Sequence, residues 1–169
     1  MFFLKRMLLA FWALWSTVVF TTNALDAAKA LGVIDDSWAF ASGNYRFIEK
    51  TTSRYGTPDW LNAFLFAGVI VWEGTTALLF WLACWRFGTP VGRKLLYLAF
   101  TSGLGLWGAF LIADEIFVAY SLTGVHLRLL IAEPVDEAVM QAAIACAGIE
   151  RDIGNVERAH HVSGNVAAP

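Results

Sequence analysis

The sequence predicts an all-α fold: a helical integral membrane protein with three transmembrane helices, a fourth left open after Gly124, and a disordered C-terminal tail. Of its 169 residues, 58% are hydrophobic and 15% charged, whereas soluble domains run roughly 45–50% apolar and about 25% charged. Mean hydropathy is +0.58. Three apolar runs are long enough for the ~20 helical residues that a bilayer core requires. The 8 Trp, 13 Phe and 4 Tyr suit a chain that lines lipid and headgroup layers.

The first run, about 7–25, follows Lys5 and Arg6 and carries only Ser16, Thr17, Thr21, Thr22 and Asn23 as polar interruptions. The second, 60–85, has Trp at both ends and a single charge, Glu73, inside. Indoles at both ends match the two headgroup layers. The third, about 92–120, is apolar from Leu95 to Ala113 and then meets Asp114 and Glu115. After Gly124, the segment 125–132 is apolar apart from His126 and Arg128, but Glu133, Pro134, Asp136 and Glu137 follow at once. Each acid at the centre of a span costs roughly 2.5–3.5 kcal/mol, so a conventional fourth crossing is not expected. Residues 1–132 therefore read as the membrane domain. Within 133–169, a short surface helix is expected over 135–147 and a disordered tail over 148–169.

Positive charges set the orientation. Lys5 and Arg6 precede the first span, and Arg86, Arg93 and Lys94 lie in the link 86–94. Both are expected in the cytoplasm of a bacterial inner membrane protein, with the loop 26–59 and the tail from about 133 outside. A basic pair, an apolar stretch and the exit Thr22-Asn23-Ala24 also resemble a signal peptide, but Phe11, Trp12 and Trp15 make a bulky centre, and an uncleaved span is expected. Arg54-Tyr-Gly-Thr-Pro58 and Arg86-Phe-Gly-Thr-Pro90 repeat one helix-start pattern, with Thr as cap and Pro at the first position. They fall on opposite sides of the membrane and read as punctuation used twice.

Composition also excludes. A net charge of −2 gives no basic field for nucleic acid. Two Cys cannot build a disulfide scaffold or a thiolate-rich metal site. Cys84 and Cys146 are expected on opposite sides, and the His160-His161 pair is too short a tract for metal. The chain has no phosphate-binding loop, Gly-x-Ser-x-Gly elbow or His-Glu-x-x-His helix. No cofactor or metal is expected, and no enzyme.

Glu73 is the sharpest feature. It is 13 residues after Trp60 and 12 before Trp85, which puts it near the bilayer midplane. A lone carboxylate there is expected to be neutral or to bind a cation, so Glu73 is either a proton or cation site or a neutral link between helices. Ser16 and Thr17 are expected at its depth as donors. Near the outer face gather Asn23, Asp26, Asp114, Glu115, His126 and Arg128. Arg128 is the expected partner of one acid by bidentate geometry, and carboxylates beside a His also meet the crude ligand list for a transition metal. Gly105, Ala109 and Ala113 recur every four residues, a close-packing stripe.

In outline the chain resembles the bacterial families of predicted small integral membrane proteins with about four helices. The likeness rests on Asn23 and Asp26 closing the first helix, Trp72-Glu73 within the second, Asp114-Glu115 ending the third, and Arg128 opening what would be the last. It departs at Glu133-Pro-Val-Asp-Glu137, where such families continue into a fourth apolar span. The resemblance implies membrane architecture and no particular activity. Three functions follow in order: a non-enzymatic accessory subunit acting through helix contacts and the loop aromatics Trp38, Phe40, Tyr45 and Phe47; a proton- or cation-coupled transporter working as an oligomer through Glu73; and, last for want of a nucleophile or haem-ligand pair, a membrane enzyme or redox subunit. Expected partners are the lipid bilayer and either another membrane protein or further copies of this chain.

Overall fold

A computed structural model describes residues 2–117, 124–138 and 141. Three helices are long and apolar enough to cross a membrane: α1 (Phe2–Ala30), α3 (Asp59–Trp85) and α4 (Pro90–Ile116). Between the first two lies α2 (Asn44–Thr52), followed by one 3-10 turn, Ser53–Tyr55. Residues 124–138 form a further helix, here α5. Among the described residues there is no strand.

Helix α1 runs five residues past the expected end at 25. It ends at Ala30 ahead of Gly32, where Leu31 N–H bonds Ala27 O (3.0 Å), Val33 N–H bonds Ala28 O (2.9 Å) and Gly32 N–H bonds Lys29 O (2.9 Å), so three of the four orphan carbonyls of the last turn are satisfied. In the following loop, hydrogen bonds from the Ser37 side chain and backbone N–H hold the Asp35 carboxyl below its ordinary range. The two Arg-x-Gly-Thr-Pro copies share one backbone device. Gly56 and Gly88 both take positive φ (63° and 85°), a region that side chains with a Cβ avoid. Their caps differ. Thr89 Oγ1 accepts from Gly92 N–H at 3.0 Å, whereas Thr57 Oγ1 instead donates to Thr52 O and α3 starts without a side-chain cap.

Both α1 and α4 pack on α3. At the end carrying Arg86, Arg93 and Lys94, the core is aromatic. Phe80 meets Phe100 edge-on at 5.1 Å between centroids and stacks on Trp12 at 6.3 Å, while Leu9, Ala13, Ala83, Leu96 and Ala99 fill the gaps. Cys84 is buried beside them as a free thiol. The outward faces are apolar too: Phe64, Val71, Leu78, Leu98 and Ile112 are all exposed, a surface that lipid covers and water does not.

Levels along the helices follow from cross-links. Asn23 meets Glu73, and Trp81 Nε1 donates to Thr17 Oγ1 at 2.9 Å. Extending these pairs at 1.5 Å per residue along antiparallel helices puts Lys5 about 10 Å beyond the end of α3 at Trp85. Helix α1 is thus offset toward the basic end. Its polar last two turns, and α2 beside them, lie level with the upper, apolar half of α3. The shift also moves Ser16 and Thr17 away from Glu73. Along α3 that residue stands midway, but along α1 it stands where the apolar run ends.

The expected boundary at 132/133 does not hold. It falls inside α5, and Glu133 is 1% exposed. This helix runs back along the bundle: His126 reaches Asp114, Glu133 lies on Gly103, and Asp136 accepts from Trp12 Nε1 at 2.9 Å. Charging each acid the full cost of facing lipid was the error. Leu127, Ile131 and Val135, spaced by four, face outward, while His126, Glu133 and Asp136 turn toward the bundle. The expected surface helix is therefore corrected over 135–138, and the rest of that segment and the tail, with Cys146 and His160-His161, lie outside the described residues.

Two measurements check this packing. Phe80→Ala removes the central ring; in lipid the cavity term dominates the loss, so the low end of the usual range, roughly 3 kcal/mol, is expected as a fall in unfolding free energy. With Cys84 and Cys146 replaced by Ala, Ser37→Cys and Thr89→Cys should each react with an impermeant maleimide from one side of the membrane only. Ala138→Cys should resist it from both, because α5 is still at the level of the apolar spans there. Rapid labelling of Ala138→Cys in intact vesicles would restore the surface helix.

Candidate functional site

Asn23, Glu73 and Asn44 form one chain of hydrogen bonds. Asn23 Nδ2 donates to both Glu73 oxygens, at 2.7 and 2.8 Å, and Asn23 Oδ1 accepts from Asn44 Nδ2 at 2.8 Å. Asn23 is 3% exposed and Glu73 is 3% exposed, so these bonds satisfy polar groups that present little surface to solvent. The amide suits the position because it donates to the carboxylate and accepts from α2 at once. Carboxylate and amide come from helices offset such that residue 23 of one reaches residue 73 of the other.

Asp26, one turn further along α1, organises α2. Its Oδ2 accepts from Tyr45 N–H at 2.8 Å and from Ser42 Oγ at 3.2 Å. The first turn of a helix leaves backbone N–H groups without partners and favours negative charge. Gly43, in the cap position, has no side chain to serve them, and Asp26 does so from another helix. The far end of α2 is tied down by Thr52 Oγ1 bonding Asn62 Oδ1 at 2.9 Å, both buried. Tyr45 packs on Phe66 with centroids 5.7 Å apart.

On the opposite wall, His126 Nδ1 and Asp114 Oδ2 are 2.7 Å apart. The imidazole lies against Phe110 (5.1 Å) and Trp107 (6.3 Å). Between these groups is a cavity of about 420 Å³ lined by Asn23, Glu73, Asp114 and His126 and by apolar side chains including Leu65, Phe66, Val69 and Phe110. Asn44, Phe47, Ile48 and Thr51 of α2 form one wall. Glu73 also lines a second, small cavity of about 20 Å³ on the inner side, with Trp12, Ser16, Thr76, Trp107 and Glu133.

The outer cluster expected from sequence thus divides. Asn23 and Asp26 serve Glu73 and α2, and Asp114 pairs with His126. Glu115 and Arg128 are exposed, and Arg128 makes no ion pair among the described residues. The histidine, on the inward face of α5, takes the place expected for the arginine, on the outward one. No group of three His, Cys, Asp or Glu among the described residues is placed to hold a metal ion. Of the small-residue stripe, Gly105 lies against the Trp72 ring, and Ala109 and Ala113 line the large cavity. The loop aromatics separate as well: Trp38 and Phe40 stay exposed, Tyr45 packs on Phe66, and Phe47 lines the large cavity while remaining partly exposed. Sequence reasoning missed Asn44 and Glu133. Nothing local marks Asn44, but the inward spacing His126, Glu133, Asp136 was readable as one polar face.

Residues 1–121 match the family described as "Predicted small integral membrane protein (DUF2165)". The chain belongs to this family. The DUF2165 match spans α1 to α4, and with them Asn23, Asp26, Asn44, Glu73 and Asp114; it ends before His126 and Glu133. No curated protein and no solved structure matches the chain.

The capping role of Asp26 is open to test. Asp26→Ala should leave the spans folded but free α2, at a cost of about 1 kcal/mol. In hydrogen exchange, the amide of Tyr45 should then exchange about fivefold faster or more. An unchanged Tyr45 amide would mean that α2 is held by its other contacts alone.

Proposed function

We propose that this integral membrane protein is a proton- or cation-coupled carrier that takes an amphiphilic small solute into its larger cavity and couples it through Glu73. It acts as an oligomer in the bacterial cytoplasmic membrane, with the N-terminus and the 86–94 link on the cytoplasmic side. The observation that supports this best is the position of Glu73: 3% exposed, yet on the wall of a cavity of about 420 Å³. Buried acids within membrane helices are costly and commonly mark ion pathways. The cavity's apolar walls with polar groups on two sides fit a solute that is apolar at one end and polar at the other. Broad apolar faces such as Phe64 (70% exposed) and Val71 (68%) offer surface for further copies. No catalytic residue, cofactor or nucleic acid enters this reading.

The accessory-subunit reading draws on a different observation. Trp38 (53% exposed) and Phe40 (51%) stand out from the loop as a candidate docking patch, and loss of a co-purifying protein in Trp38→Ala/Phe40→Ala would favour it.

The carrier reading is tested at Glu73. Glu73→Gln replaces one acceptor oxygen by an NH2 that faces the Asn23 NH2, so one hydrogen bond is lost at about 1 kcal/mol, and the fold should survive. In proteoliposomes with an internal pH dye, the wild-type protein should dissipate an imposed pH gradient at least tenfold faster than Glu73→Gln. Equal rates in the two, under a pH gradient and under an imposed sodium gradient alike, would overturn the reading.

A further inference from the structure

Glu133 is one of two residues, with Gln141, that carry an unsatisfied buried side-chain atom among the described residues. It is 1% exposed, and its Oε2 has no hydrogen-bond partner among them. Trp107 lines the small cavity beside it and gives that oxygen no hydrogen bond. A buried polar atom in this state bears its full desolvation cost, greater when charged, so a native site requires something to meet it. The helix makes deliberate room for the group. The carboxylate lies directly on Gly103 of α4, and a Cβ there would run into it.

The small cavity supplies the missing partner. Glu73 and Glu133 both line it, from α3 and α5, and its volume of about 20 Å³ suits a single water, which needs roughly 10–15 Å³ and two or more polar contacts. The charged groups around Glu133 are Asp136 and Glu137 on its own helix and Glu73 across the cavity. Helix α1 presents Trp12, Trp15 and Ser16, and α4 presents Gly103 and Trp107. No Lys, Arg or His lines this cavity; Lys5 is two turns further along α1 from Trp12. Two carboxylates facing one water without a basic residue cannot both stay ionised at low cost. A proton is the smallest charge that relieves them, and it needs no ligand shell.

We infer that Glu73 and Glu133 share a proton through one water held in this cavity, and that Glu133 carries it from the outer cavity toward Asp136. In the transfer, the Glu73 carboxyl gives its proton to the water, and the water gives one of its own to Glu133 Oε2. Glu73 ends as carboxylate, Glu133 as carboxylic acid, and the water is unchanged. Asp136, one helical turn on and hydrogen-bonded to Trp12, is the next acceptor. Glu73, which the outer cavity reaches, is the entry, and Glu133 is the exit. This inference rests on the reading of Glu73 as a proton site and names its partner and direction.

Infrared titration of the carboxyl bands, with purified full-length protein in lipid nanodiscs, tests the pair without needing the solute. In Glu133→Gln the titration midpoint of Glu73 should move by at least one pH unit, a tenfold change in proton affinity. Gly103→Ala keeps both carboxylates but displaces Glu133, and should move the Glu73 midpoint similarly. Circular dichroism and monodisperse elution establish that each variant is folded. A Glu73 midpoint unchanged in both variants overturns the sharing and leaves Glu73 standing as a proton site. Absence of any Glu73 titration between about pH 4 and 10 overturns the underlying reading instead. A wild-type band that shifts when sodium replaces choline shows a metal cation in the cavity, and also overturns the proton pair.

Discussion

The amide of Asn23 holds together more of this protein than any single apolar contact. Through one side chain it fixes the axial position of α1 against α3, anchors α2, and presents Glu73 to the cavity. Such bonds count for more where water is scarce, since the alternative is an unsatisfied group in a medium of low dielectric. Aromatic packing at the basic end is stronger in area but indifferent to register. Trp12, Phe80 and Phe100 would tolerate a slide of the helices more readily than an amide that donates to two oxygens of one carboxylate.

The bundle is therefore glued in two styles. Its basic half is filled mainly by rings and alanines. Its other half is joined by polar pairs: Asn23 with Glu73, Asp114 with His126, Thr52 with Asn62, and Ser102 with both Trp72 and Thr76. Between lipid-solvated helices there is no water-driven collapse to exploit, so hydrogen bonds and close approach supply the specificity. The cavity lies in the half where polar pairs, and not rings, keep the helices in place.

Much of the fold was legible because hydrophobic run length is a strong signal. The three spans, the two Gly-Thr-Pro starts and the membrane class all follow from it. Glu73 stood out for the same reason, as a lone charge in an apolar run. What could not be read was the offset of α1, because run length locates each helix in the bilayer separately and says nothing about its neighbours. Hence Ser16 and Thr17 were expected beside Glu73, and Asn23 stands there instead. Helix α5 was misjudged for a related reason. An insertion scale treats every side chain as facing lipid, and so it counts Glu133 against the helix that Gly103 and Trp107 accommodate. Arg128 drew attention as the obvious cation, but it lies on the outward side, and His126 makes the contact.

The offset of α1 also has an electrical consequence. Level with Glu73, the polar end of α1 and the wall formed by α2 replace what would otherwise be hydrocarbon. From Glu73 to the end of α3 at Trp85 is 12 residues, about 18 Å of helix, against about 30 Å for a full hydrocarbon core. If solution enters the large cavity, the membrane potential falls mainly across that shorter distance. Charge passing between that cavity and Glu73 then crosses little of the field, and charge passing between Glu73 and the basic end crosses most of it. The full drop is worth about 2.3 kcal/mol per elementary charge at 100 mV, so voltage bears on the step at the basic side of Glu73 and hardly on the step at its cavity side.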